Sequence, residues 1–198
     1  MSDEVDNIQK NWETYDKLLR RLSDQNINNL LEELGERLCL CPASSRVSEF
    51  NAAPGGLIDH SLGVTSAMRD LAGTGLFGEI SGFIPTASII KVGLLHDIGK
   101  IGDLADSLFV DQDSGWHRDN LGQMFKYNEN CQKMSVSHRT HYLLQNFGVS
   151  LSQDEWIAIQ LAGGSHFEEN RFYVGSEPTL ALLLQQSKSL VIHKSKLS

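Results

Sequence analysis

Two short stretches of this chain carry residue types that can hold a metal ion. The first, Leu94-Leu95-His96-Asp97-Ile98-Gly99-Lys100, sets an adjacent His and Asp at the end of an apolar run. The second, Gly55-Gly56-Leu57-Ile58-Asp59-His60-Ser61-Leu62, places another His just after a Gly pair. Imidazole nitrogens and a carboxylate are ligands for a divalent Mn, Fe, Ni, Zn or Mg ion. Two neutral imidazoles and one carboxylate cancel only part of its charge. The ion therefore stays a Lewis acid, able to polarise a phosphoryl oxygen and lower the pKa of bound water. Lys100, one helical turn beyond His96, adds an ammonium that can face a phosphate as a point charge. His60, His96 and Asp97 are thus candidate metal ligands, and Asp97 and Lys100 candidate catalytic groups. Taken singly, each has a plainer reading: a backbone-bonded histidine, a capping acid, a surface lysine. Taken together they read as a site, because Asp97 closes a segment with almost no polar face, where a carboxylate needs partners.

The elements that must position these groups read as helices. Residues 4–22 space Val5, Ile8, Trp12, Tyr15, Leu18, Leu19 and Leu22 with helical period, and 24–39 does the same with Ile27, Leu30, Leu31, Leu34 and Leu38 behind Asp24. Cys41-Pro42-Ala43-Ser44-Ser45 stops the second helix, and the chain to Gly56 reads as loop. A helix is predicted from about Leu57 to Leu71, then a loose connection through Gly73, Gly75 and Gly78. An almost wholly apolar helix over 86–98 belongs deep in the core. From Gly102 to about Val136 the pattern breaks, with Leu108-Phe109-Val110 and Met124-Phe125-Lys126-Tyr127 as the arms of a small hairpin. Two shorter helices follow, one opened by the capping-box spelling Ser152-Gln153-Asp154-Glu155, and a last helix runs from Pro178 to about Ile192. The expected fold is mainly α, one helical bundle with a small hairpin within 105–130. Residues 1–44 form N-terminal helices packed on a domain of 45–192, and 193–198 a tail.

Composition narrows the partners. The 198 residues suit a single domain with one sizeable core, and 40% hydrophobic with 21% charged residues is ordinary for a globular protein. A net charge of −8 gives no basic field for duplex nucleic acid. It leaves room for a small nucleotide or short single strand held by a metal and a few local cations. No apolar run approaches the length of a membrane span, and the acidic start Met1-Ser2-Asp3-Glu4 is unlike a secretory or transit signal. Three cysteines, Cys39, Cys41 and Cys131, form no closed disulfide framework. A reducing, cytoplasmic setting is the expectation.

The order Gly-Gly-Leu-x-x-His-Ser-Leu, then Leu-Leu-His-Asp-Ile-Gly-Lys, resembles the HD superfamily of metal-dependent phosphohydrolases over roughly residues 45–190. The spelling is most similar to HD-type 3′-to-5′ exonucleases, relaxase-associated HD domains and the stand-alone HD proteins of bacteriophages. The resemblance implies an all-helical HD domain with His60, His96 and Asp97 as ligands. It also implies hydrolysis of a nucleotide or single-stranded nucleic-acid phosphoester by metal-activated water, with Lys100 countering phosphate charge.

The resemblance also implies a ligating Asp in the last core helix, and nothing after Glu177 is acidic. By the register of Leu182-Leu183-Leu184, Lys188 falls at that position, and a protonated lysine repels a cation. The His that dinuclear relatives carry before a Gly falls at Ala162 or Gly163. One ion is therefore expected rather than two. His138, similar to the third histidine of the dinuclear group, and His166 are the candidate compensating ligands, with Asp103 or Asp106 behind them. His141, a turn beyond His138, reads as a surface or half-buried histidine. His117 reads as a loop residue, and His193 carries no signal. Arg171, among the aromatics of Phe167–Tyr173, and Lys188 join Lys100 as candidate substrate-binding cations.

Two functions follow. One is the phosphohydrolase. The other is a degraded HD domain without turnover, a protein-binding or anion-binding module in which Lys188 replaces the missing cation and holds a nucleotide or other anion. A paired-iron oxygenase, a chemistry some HD-fold members carry, is a minor third reading.

Overall fold

The computed structural model describes residues 2–81 and 84–197. Met1 and Ser198, at the outer ends of the predicted 1–44 and 193–198 segments, lie outside them. The fold is mainly α. Helices α1 (Ser2–Arg20) and α2 (Gln25–Leu40) lead to α3 (Gly56–Ala72), α4 (Gly75–Ser81) and α5 (Thr86–Leu95). After an irregular stretch come β1 (Phe109–Asp111), α6 (Gly115–Leu121) and β2 (Phe125–Tyr127), then α7 (Val136–Asn146), α8 (Gln153–Gln160) and α9 (Thr179–Ser195). The strands pair antiparallel, with Phe109 opposite Tyr127 and Asp111 opposite Phe125.

Helix α3 is the axis of the bundle, packed against α1, α2, α5 and α9. It suits that place because Leu57, Ile58, His60, Ser61, Val64, Thr65 and Met68 bury more than one face. Helix α5, with Ile89, Val92, Leu94 and Leu95 buried, supplies the second wall. Helix α9 buries Leu180, Ala181, Leu183, Leu184 and Ser187, and its Leu180–Leu184 stripe runs on, one turn further, into Lys188. The N-terminal helices join the same core: Tyr15 is buried and its hydroxyl donates to the Leu94 carbonyl at 3.0 Å. The capping box at Ser152 forms as spelled. Its Glu155 also accepts from Ser88 (2.8 Å) and Lys91 (3.2 Å), which fastens α8 to α5.

Four elements differ from expectation. Residues 75–81, predicted as loose connection, are helical. Helix α6 interrupts the stretch predicted as irregular; it buries no residue, so no apolar stripe announces it, and it is bounded by the Ser114 cap and a left-handed Gly122. Helix α9 continues through His193 to Ser195, past the expected end at Ile192. The apolar helix, in turn, stops at Leu95. His96 caps it, Asp97 leaves helical geometry (φ −113°, ψ 12°), and Ile98–Ile101 form a 3₁₀ turn. That break turns Asp97 and Lys100 off the path of α5.

The turn is held tightly. Gly99 donates its N–H to the Thr140 hydroxyl (3.0 Å), which donates in turn to the His96 carbonyl (3.2 Å). A Cβ on Gly99 would strike the carbonyl of Val136 and the backbone of Thr140. Gly99→Ala is therefore expected to lower stability by about 1–3 kcal/mol through forced separation of the turn and α7. Denaturant unfolding measures it, and a change within error would mean that the turn yields freely.

Candidate functional site

His60, His96 and Asp97 meet. Each offers one ligand atom, and these atoms lie within 4.8 Å of one another, the one such group among the described residues. All three side chains are buried. His60 enters from the first turns of α3, and Phe50, from the preceding loop, covers its ring at 4.7 Å. His96 enters from the end of α5, its ring 6.0 Å from that of His60. Its Nδ1 lies 2.9 Å from the Gly93 carbonyl. A carbonyl only accepts, so the ring proton is assigned to Nδ1 and the Nε2 lone pair faces the site. Nε2 of His96 is 3.7 Å from Asp97 Oδ2. Neither it nor Nε2 of His60 has a hydrogen-bond partner, although both are buried. Two buried, unpaired imidazole nitrogens are costly to the fold and call for a ligand.

Burial pushes both imidazoles towards their neutral form, His96 to about 4 and His60 well below its ordinary value, against the opposing pull of Asp97. Neutral imidazole is the form that ligates a metal. Burial also opposes the charge of Asp97. The ammoniums of Lys100 and Lys188 outweigh it and hold the carboxyl well below the usual carboxylate range. The three residues form a buried group that can hold a metal ion, and the orphaned Nε2 atoms fit that use.

Asp97 is already engaged. Lys188 donates to its Oδ1 at 2.9 Å and Oδ2 at 3.0 Å, and to the Ala162 carbonyl at 3.2 Å. Lys100 lies 2.8 Å from Oδ2, and its ammonium sits 4.8 Å over the ring of Phe50. The register that sets Lys188 opposite Asp97 is as expected. Neither lysine turns its charge outward to wait for a phosphate.

The compensating ligands are not brought in, which corrects the expectation. His138 is exposed: Ser137, Arg139 and Thr140 take the buried positions of α7 and leave His138 on the solvent side. His166 is exposed too, its ring tilted against that of Phe167 at 4.3 Å, beyond the bend at Gly164 (φ 112°). Asp103 accepts from the N–H groups of Ala105 and Asp106 and closes its own loop. Asp106 binds Arg37 through its carbonyl. Arg171 is exposed and does not line the cavity described next. His117 bonds Ser114 and His141 stacks on Trp156, both apart from the site.

Asp97, Lys100 and Lys188 line a cavity of about 810 Å³, walled by Tyr127, Lys133, Arg139, Phe167 and Asn170 among others. Arg139 escaped the sequence reading. It is buried and anchored to the carbonyls of Gln132 (2.6 Å) and Gly99 (3.4 Å), and no local pattern marks an arginine between two histidines as buried. Phe50 escaped as well, because its loop has no period. Asn170 ties the wall by donating to the carbonyls of Gly164 (2.8 Å) and Gln160 (3.4 Å).

No helix among the described residues is long and apolar enough to cross a membrane, and the cysteines are free. No family model, curated protein or solved structure matches the chain.

Proposed function

We propose that this chain is a metal-dependent phosphohydrolase of the HD type, acting on a nucleotide or single-stranded nucleic-acid phosphoester. The observation that carries this reading is the convergence of two buried, unpartnered Nε2 atoms on Asp97, which itself lines a cavity. His60 and His96 would hold a single divalent ion through Nε2, and Asp97 through its carboxylate. When bound, the ion supplies Lewis acidity and activates water. The Gly93 carbonyl keeps His96 in the ligating tautomer, and Thr140 fixes the turn that carries Asp97. Lys100, though paired with Asp97, and Arg139, though held on two backbone carbonyls, would lend positive charge to the cavity wall for a phosphate. Tyr127 and Phe167, 64% and 45% exposed, offer aromatic faces against which a base can stack. The cavity volume lies in the range of small-ligand sites.

The ion pair of Lys188 with Asp97 favours a second reading, the anion-binding module without turnover, in which the lysine stands for the ion. An assay with Mn²⁺, Ni²⁺ and Fe²⁺ added in turn separates the two. The phosphohydrolase hydrolyses nucleoside monophosphates or single-stranded oligonucleotides, and His96→Ala abolishes that activity. Equal activity in the variant would assign the hydrolysis elsewhere, and saturable binding without hydrolysis would favour the module.

A further inference from the structure

Lys188 has three N–H bonds, and all three are used: two on Asp97 and one on the Ala162 carbonyl. It therefore has no proton left for an anion in the cavity unless it leaves Asp97. The carboxylate, for its part, carries two ammoniums, Lys188 and Lys100. A divalent ion entering that cluster would raise its net charge from one to three. A dianion arriving with it would return the charge to one. Lys188 stands on α9 at the end of a flexible four-carbon stem, retains 13% side-chain exposure, and lines the same cavity as Lys100, Lys133 and Arg139. A tetrahedral dianion among those cations gives its ammonium somewhere to go.

We infer that Lys188 is a displaceable, built-in cation: a phosphate-type dianion in the cavity draws its ammonium off Asp97 and so opens that carboxylate to a divalent ion. The inference rests on the metal-binding reading of the same site. Anion and metal then bind cooperatively, each strengthening the other by the same factor. The two orphaned imidazole nitrogens are the reason for the metal to enter once Asp97 is free. The ion pair holds the site closed while no anion is present.

The test is Mn²⁺ binding to the full chain, followed by loss of the free-ion signal in electron paramagnetic resonance. Sulfate, a tetrahedral dianion that leaves Mn²⁺ in solution, is compared with chloride at equal ionic strength. Sulfate is expected to tighten Mn²⁺ binding to the wild type roughly tenfold. Lys188→Met is expected to bind Mn²⁺ in chloride about as tightly as the wild type does in sulfate, and to respond to sulfate less than about twofold. Lys188→Gln repeats the comparison should the Met variant fail to fold, and the wild type in two salts needs no variant. Equal affinity of wild type and Lys188→Met in both salts would overturn the inference and leave the metal site standing. Absence of Mn²⁺ binding in the wild type, Lys188→Met and Lys188→Asp alike would overturn the metal-binding reading with it.

Discussion

Asp97→Ala lowers stability by about 3–5 kcal/mol, and Lys188→Met in the same chain recovers most of that loss. The reason lies in where the pair sits. The Asp97 side chain is 3% exposed and that of Lys188 13%, so removing the acid leaves an ammonium with one carbonyl for company in a cavity wall. An unpaired buried charge costs far more than the pair contributes, whereas an apolar residue of similar length asks for no partner. Urea unfolding of the two single variants and the double variant gives the coupling directly. Asp97→Ala within about 1 kcal/mol of wild type would mean that Lys188 is not held as described.

Stability of the metal-free protein falls as pH drops from 7 to 5. His60, His96 and His141 are all held neutral by burial, the last two at about 4 against an ordinary 6.5. Above pH 6.5 folded and unfolded chains bind the same number of protons at these sites, and nothing is lost. Between 6.5 and about 4 the unfolded chain takes up protons that the folded chain refuses, so unfolding gains with each step downward. His96 alone contributes on the order of 3 kcal/mol across that window. The carboxyl of Asp97, held below its ordinary 3.8, adds a further loss only beneath that value. Melting temperature against pH, with chelator present, shows the decline. A flat profile between 7 and 5 would place these imidazoles in contact with water.

The parts legible in the sequence are those with local signals. The apolar run up to Leu95 announces a core helix, and a His-Asp at its end must be buried with it. The Gly-Gly pair before Leu57 marks the start of α3, which fixes the depth of His60. The Ser152–Glu155 box is spelled within four residues, and each arm of the Phe109–Tyr127 pair is a short, mostly apolar run of its own. Helix α6 was not legible, for it buries nothing and so has no stripe. The fate of the other histidines turned on which face of α7 meets the 98–101 turn. Ser137, Arg139 and Thr140 win that face because Thr140 bridges the backbone of His96 and Gly99, a contact across more than forty residues with no local trace. The register put Lys188 at the place of an expected acid, but not the distance at which its ammonium meets Asp97. That pairing is the property of three elements at once: α9, the 3₁₀ turn after α5, and the Ala162 carbonyl.

Elemental analysis of the purified full chain, as isolated and after reconstitution with Mn²⁺, Fe²⁺, Ni²⁺ or Zn²⁺ in sulfate, bears most directly on the central claim that His60, His96 and Asp97 grip one ion. About one equivalent per chain is expected, lost on His96→Ala. A wild-type protein that stays free of metal in every preparation would contradict it.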